Sequence, residues 1–236
     1  MTADELWICE LGTVDYREAL ALQERLRAAR QADLIPDVLL LLEHPPVYTR
    51  GRRSSADELP FGEDWYRERG IDIVDVDRGG KLTYHGPGQL VGYPIMRIRD
   101  VIVYLRTIER AIVETLAQAG LPSRARPDDG PDYTGVWTQD RKIASIGVHV
   151  ARGVTTHGFA INVDNDLQPF EWVVACGLGG VAMTSVAQES GGSDHATSVR
   201  AAVAEHFAEA FERRPVAVTL DDVESAIAVM EISADR

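Results

Sequence analysis

Cys176 and Lys142 are the side chains in this sequence best suited to covalent chemistry. Cys176 follows the apolar residues Val173, Val174 and Ala175 and opens the turn Cys176-Gly177-Leu178-Gly179-Gly180. Backbone N–H groups in such a turn can point at a developing oxyanion. A free thiol, with a pKa of about 8.5, is only a few per cent thiolate at neutral pH. A nearby cation lowers that value, and a shift of about two units corresponds to roughly 2.7 kcal/mol. Of the 24 Lys and Arg residues only Lys81 and Lys142 are lysine, and lysine, unlike arginine, can give up its proton. Lys142 is the expected partner of the thiol. Two other readings stay open: a quiet buried thiol, and a Cys–His pair formed with His85 or His157. Cys9 alternates with Trp7 and Leu11 and reads as a small buried hydrophobe.

The elements that must position this chemistry centre on the run from Arg78 to Pro94. It carries Gly79, Gly80, Gly86, Gly88 and Gly92 among Arg78, Lys81, His85 and Gln89. Strand-like segments at 71–77 and 89–95 flank it. Glycines there let a ligand approach the backbone. Further on, segments 142–151 and 154–163 flank Arg152-Gly153, a two-residue hairpin turn. That register sets Gly147 opposite Gly158 and Ser145 opposite Ala160. One face is then nearly bare, with Asn162 beyond, and the other carries Ile146, Val148, Phe159 and Ile161. A bare face implies that a helix or a ligand lies against it.

Elsewhere, residues 15–30 and 101–119 read as amphipathic helices, the second stopped by Gly120. Residues 38–42 form a wholly apolar run that suits a strand buried on both faces. Around Trp65 one helical turn is expected in an irregular stretch. A helix over 196–213 is expected to be capped by Ser193 or Asp194. A strand at 215–219 and a last helix at 221–230 follow. His44, at the end of the buried run, reads as structural.

With 236 residues, 45% of them apolar, the chain can bury a sizeable core. One α/β domain spanning 1–236 is expected, its core at about 11–192 and a small C-terminal appendage at about 193–236. A net charge of −13 argues against general nucleic-acid binding. No apolar run is long enough for a membrane span, and the acidic start is no signal peptide. Two cysteines make no disulfide framework, so a cytoplasmic location is expected. No C-x-x-C or H-E-x-x-H offers a metal site, and no Walker loop or GxGxxG opening a helix offers a nucleotide site. No metal or cofactor is expected.

The run Arg-Gly-Gly-Lys-Leu-Thr-Tyr-His-Gly-Pro-Gly-Gln-Leu-Val-Gly-Tyr at 78–93 resembles the signature of the octanoyltransferases of lipoate biosynthesis, also called lipoate-protein ligase B. So do Leu-Glu-His-Pro-Pro-Val-Tyr-Thr at 42–49, Arg-Lys-Ile-Ala-Ser-Ile-Gly at 141–147 and His-Gly-Phe-Ala-Ile-Asn at 157–162. The resemblance covers about residues 11–186. It implies a biotin/lipoate protein ligase-like catalytic fold with a central mixed sheet flanked by helices. It also implies a two-step transfer. An octanoyl group leaves acyl carrier protein for a cysteine thioester. It then passes to a lysine of the lipoyl domains of 2-oxo acid dehydrogenases or of the glycine-cleavage H protein.

On this resemblance Cys176 and Lys142 are catalytic. Arg78, Gly79, Gly80, Lys81, Leu82, Thr83, Tyr84 and His85, then Ser145, Ile146 and Gly147, then Gly158, Phe159 and Ala160, contact substrate. Ala175 departs from the family's usual proline, which is expected to alter the stiffness of the turn and not the chemistry. The rival readings are an ATP-dependent lipoate-protein ligase, which would not need Cys176, and a non-catalytic module that binds acyl groups or their carrier. Carrier proteins and lipoyl domains are acidic, as is this chain. Docking through a local basic patch of Arg50, Arg52, Arg53 and Arg78 is therefore expected.

Overall fold

The computed structural model describes residues 4–173 and 181–234. In chain order the elements are β1 (Glu5–Thr13), α1 (Tyr16–Gln31), β2 (Asp37–Glu43), β3 (Val47–Arg50), α2 (Glu63–Arg67), β4 (Asp72–Asp75), β5 (Thr83–His85), β6 (Gln89–Ile95), α3 (Val101–Gln118), β7 (Arg124–Ala125), β8 (Gly135–Thr138), β9 (Arg141–Ala151), β10 (Val154–Asn162), α4 (Gln168–Glu171), α5 (Val186–Ser190), α6 (Ala196–Ala210), β11 (Arg214–Val218) and α7 (Leu220–Ala234). Eight strands form a mixed sheet in the order β11-β1-β2-β6-β10-β9-β8-β7. β1 runs parallel to β2 and β11, and the other neighbours are antiparallel. A second sheet has the order β4-β3-β5.

The apolar run at 38–42 becomes β2, inside the large sheet, and Val38 through Leu42 are inaccessible to solvent. Burying each such side chain contributes roughly 1.5–3 kcal/mol, an upper estimate. α1 begins where the Asp15 carboxylate accepts from the N–H groups of Arg17 at 2.8 Å and Glu18 at 3.3 Å, a cap typically worth about 1 kcal/mol. Its stripe of Ala19, Leu22, Leu26 and Ala29 packs on one face of the sheet beside Val223 of α7. The other face meets α3 and α6 through Tyr104, Ile108, Ile112, Val203 and Phe207. The residues beyond 193 thus supply an outer helix on each face, and β11 at the sheet edge.

A third cluster, with Tyr48, Tyr66, Leu82, Tyr84 and Phe170, holds the small sheet together. The β9–β10 hairpin has the expected register: Gly147 faces Gly158, Ser145 faces Ala160, and Ala151 faces Val154. Arg152 and Gly153 both have positive φ, +49° and +77°, as a type I′ turn demands. Neither Ser193 nor Asp194 caps α6. The Asp164 carboxylate, reaching in from the end of β10, accepts from the N–H groups of His195 at 2.9 Å and Ala196 at 3.1 Å instead.

Candidate active site

The glycine loop is braced from within. Arg78 is buried, and its guanidinium donates to the Thr49 carbonyl and hydroxyl, both at 2.7 Å, and to the carbonyls of Gly79 at 3.0 Å and Lys81 at 2.8 Å. The loop is thereby pinned to β3 with its outer backbone against the hairpin, where the Gly79 N–H donates to the Val148 carbonyl at 3.0 Å. Between loop, hairpin and the start of α1 lies a cleft of about 640 Å³, solvent at its mouth included. Its walls include Arg78, Gly79, Gly80, Lys81, Thr83 and His85 from the loop. Ser145, Ile146, Gly147, Gly158, Phe159 and Ala160 come from the hairpin, and Lys142 from the start of β9.

Lys142 is almost wholly buried. Its Nζ stands 5.4 Å from the centre of the Trp137 ring, a favourable cation–π arrangement. Gly135, at φ +138°, makes room for it. A Cβ there would lie 2.8 Å from Lys142 Cε and 2.4 Å from the Ala144 carbonyl oxygen. The N–H of Gly135 donates to the buried Glu109 carboxylate of α3 at 3.0 Å. The peptide of Lys142 is held on both sides. Its N–H donates to the Ala182 carbonyl at 2.9 Å, and its carbonyl accepts from Thr184 N–H at 3.0 Å. Cys176 lies outside the described residues; Ala182 is six residues further along the chain.

A hydrogen-bonded chain runs from this point to the loop. The Asn162 amide donates to the Thr184 carbonyl at 2.9 Å, and its oxygen accepts from Gln89 Nε2 at 2.9 Å. Gln89 Nε2 also faces the Tyr84 carbonyl at 3.2 Å, so Oε1 must be the atom 2.7 Å from His85 Nδ1. That fixes the tautomer: Nδ1 carries the proton and Nε2 keeps a lone pair. Burial holds His85 neutral, pushing its pKa down to about 3, and does the same to His44, at about 4. His44 lies between the Val14 carbonyl and the Tyr93 hydroxyl, each at 2.7 Å.

On the far wall, His157 Nε2 donates to Asp77 at 2.8 Å, and Nδ1 lies 3.4 Å from the Tyr16 hydroxyl. Burial lowers the His157 pKa against the opposing pull of Asp77. Asp77 itself, bonded first by His157 and also by His149, is held well below the usual carboxylate range.

The sequence of residues 15–208 matches a protein family described as "Lipoyl protein ligase A/B catalytic domain". The chain belongs to this family. Its curated relatives include the octanoyltransferase of Solibacter usitatus, 49% identical over 173 residues, covering 72% of this chain and 77% of that protein. The octanoyltransferase of Mycobacterium tuberculosis is 47% identical over 201 residues, covering 83% and 82%. Among solved structures, protein Ta0514 of T. acidophilum with bound lipoic acid superposes at a TM-score of 0.77 and 22% identity, over 96% of this chain and 94% of that one. The chain is thus an acyltransferase on the lipoate-protein ligase fold.

The structure redistributes several residues of this octanoyltransferase relative. Leu82 and Tyr84 do not line the cleft. Residues 83–85 form β5, where successive side chains point to opposite faces, so Thr83 and His85 face the cleft. Tyr84, with the preceding Leu82, enters the third core cluster. The cleft adds Tyr16, Asp132 and Thr134, which the sequence did not single out, together with Tyr93 from the end of the signature run and Arg53 from the expected basic patch.

The basic patch does not form as expected. Arg50 is paired with Asp75 and Glu63, Arg53 with Asp132, and Arg78 is inside. The bare hairpin face also has a second cause. A Cβ on Gly158 would meet the Gly92 carbonyl oxygen at 2.1 Å and Pro94 Cδ at 2.5 Å. Gly158→Val is therefore expected to cost about 3 kcal/mol or more of stability, whatever the acyl chain. A urea midpoint equal to wild type would contradict this.

The buried histidines also set an acid limit. An unfolded histidine titrates near 6.5, whereas His85 and His44 stay neutral to about 3 and about 4, and His157 is shifted the same way. Below pH 6.5 the unfolded chain binds more protons, so stability falls as pH falls. Tm should drop from pH 7 to pH 5, a window above the range in which Asp77 titrates. The drop should narrow in His44→Gln. A flat Tm over that window would contradict the assignment.

Proposed function

We propose that this enzyme carries an octanoyl group from acyl carrier protein to a lysine of lipoyl domains and of the glycine-cleavage H protein, through a thioester on Cys176. One observation carries the reading. Lys142 lies buried at the end of an acyl-sized cleft, and both sides of its peptide are bonded to the segment that follows Cys176 in sequence. Gly147, Gly158 and Ala160 leave the cleft floor low, and Ile146 and Phe159 add apolar walls, which suits a saturated chain at about 0.8 kcal/mol per buried methylene.

The Lys142 ammonium favours the Cys176 thiolate. Sulfur attacks the donor's thioester carbonyl, the carbon–sulfur bond to the donor breaks, and the departing thiolate takes the Lys142 proton. Neutral Lys142 then accepts a proton as the acceptor amine attacks the new thioester. The carbon–nitrogen bond forms, Cys176 leaves as thiolate, and the ion pair is restored.

The same reading places the enzyme in the cytoplasm with its carrier and acceptor proteins. No helix among the described residues is long and apolar enough to cross a membrane. Among those residues no group of three His, Cys, Asp or Glu is placed to hold a metal ion.

The test is transfer to a lipoyl domain from octanoyl carrier protein without ATP, beside free lipoate with ATP. Transfer in the first reaction alone is the expected result. Transfer in the second alone would identify a ligase, a reading favoured by the lipoic acid in the T. acidophilum structure.

A further inference from the structure

Most of the arginines are neutralised at short range: among the described residues Arg17, Arg25, Arg27, Arg30, Arg50 and Arg53, for instance, each have a carboxylate partner. Arg99, Arg152 and Arg52 have none among the described residues. Arg52 and Arg99 line a second groove, of about 910 Å³ with open solvent included, whose wall also holds Gly153, the neighbour of Arg152. The Arg52 guanidinium lies 3.5 Å from His149 Nε2. One carboxylate, Asp77, lines the groove, and it and the nearby Asp100 are already engaged. Asp77 is bonded to His157 and His149, and Asp100 is turned onto the N–H groups of Ile102 at 2.7 Å and Val103 at 3.1 Å.

The groove is also apolar. Ile98, Val101, Val148 and Val150 line it, and next to it Ile102 and Val103 stand 58% and 62% exposed at the start of α3. An apolar stripe edged by unneutralised cations, on a chain of net charge −13, fits an acidic protein surface with an apolar ridge.

The position of the groove selects the occupant. It shares Gly79 with the acyl cleft but lies beyond the seam where Gly79 bonds to Val148. Val148 is six residues along β9 from Lys142, about 20 Å at a rise of roughly 3.3 Å per residue. A lysine on its four-carbon stem cannot span that distance; a thioester on a long prosthetic arm can. We propose that this groove is the docking site of the acidic acyl-carrier donor, and that the acceptor lysine enters elsewhere. The proposal rests on the transferase reading above.

Two variants test it without touching the cleft: Arg99→Glu with Arg152→Glu, and Val101→Glu, where an acidic residue in the first turn of α3 also suits the helix dipole. The measurements are the Kd of holo-carrier protein, the Kd of a lipoyl domain, and turnover of octanoyl-pantetheine. The expected result is carrier affinity weakened about tenfold or more, with lipoyl-domain affinity and pantetheine turnover unchanged. Equal carrier affinity in wild type and both variants overturns the proposal. Loss of lipoyl-domain affinity in place of carrier affinity also overturns it and makes the groove an acceptor site. Failure of the transferase reading shows separately, as a wild type that turns over neither donor, while carrier affinity still decides the groove.

Discussion

Cys176→Ala should form no acyl-enzyme and should transfer octanoyl groups about 10⁴-fold more slowly than wild type, or not at all. Removing the sulfur deletes the atom to which the acyl group is bonded between donor and acceptor. What remains is a cleft that still binds the chain, so donor affinity should survive. That separates the enzyme from a module that merely holds acyl groups, in which the substitution would alter nothing measurable. Cys176→Ser should be nearly as slow, because a hydroxyl is far harder to ionise than a thiol. Single-turnover transfer from octanoyl carrier protein is the assay. A Cys176→Ala protein within about tenfold of wild type would remove covalent catalysis from the account.

Lys142→Met should slow both half-reactions by about 10²–10⁴-fold. Methionine keeps much of the volume, and in so tight a site volume matters: a Cβ on Gly135 would already sit 2.8 Å from Lys142 Cε. That packing also explains why Lys142→Arg is a poor test, since the wider guanidinium must displace Gly135 or Trp137. Without the ammonium the thiolate loses this counter-charge, so iodoacetamide alkylation should move to higher pH, toward the ordinary thiol value of about 8.5. Without the amine nothing at that position takes the proton of the attacking acceptor. An unchanged alkylation profile in Lys142→Met would take the lysine out of the mechanism. His85, whose Nε2 retains its lone pair, would then be the base to examine.

Much of this was legible because local signals agreed with tertiary ones. The hairpin register followed from Arg152-Gly153 and the alternation of small with large residues. The apolar run at 38–42 can only be an interior strand, and Asp15 and Gly120 mark the ends of helices that form there. What was not legible depended on distant partners. Arg50, Arg53 and Arg78 look alike in sequence, yet one is bridged to Asp75, one to Asp132 and one buried against Thr49. The resemblance assigns Leu82 and Tyr84 to the substrate along with their neighbours, but the glycine-rich run hides a three-residue strand, β5, and Tyr84 and the preceding Leu82 turn into the core. Gly158 looked bare for a ligand, but the backbone of Gly92 comes up against it. Glu109 gave no sign at all: a carboxylate in an apolar helix stripe whose role is to hold Gly135 beside the lysine.

In the proposed mechanism the acyl group rests on Cys176 between donor and acceptor. Intact-protein mass spectrometry of the enzyme mixed with octanoyl carrier protein, with no acceptor present, tests it most directly. The expected result is a single octanoyl adduct that maps to the peptide containing Cys176, is released by hydroxylamine and disappears when a lipoyl domain is added. An enzyme that transfers at full rate with no adduct at any time, or with an adduct on another residue, would contradict it.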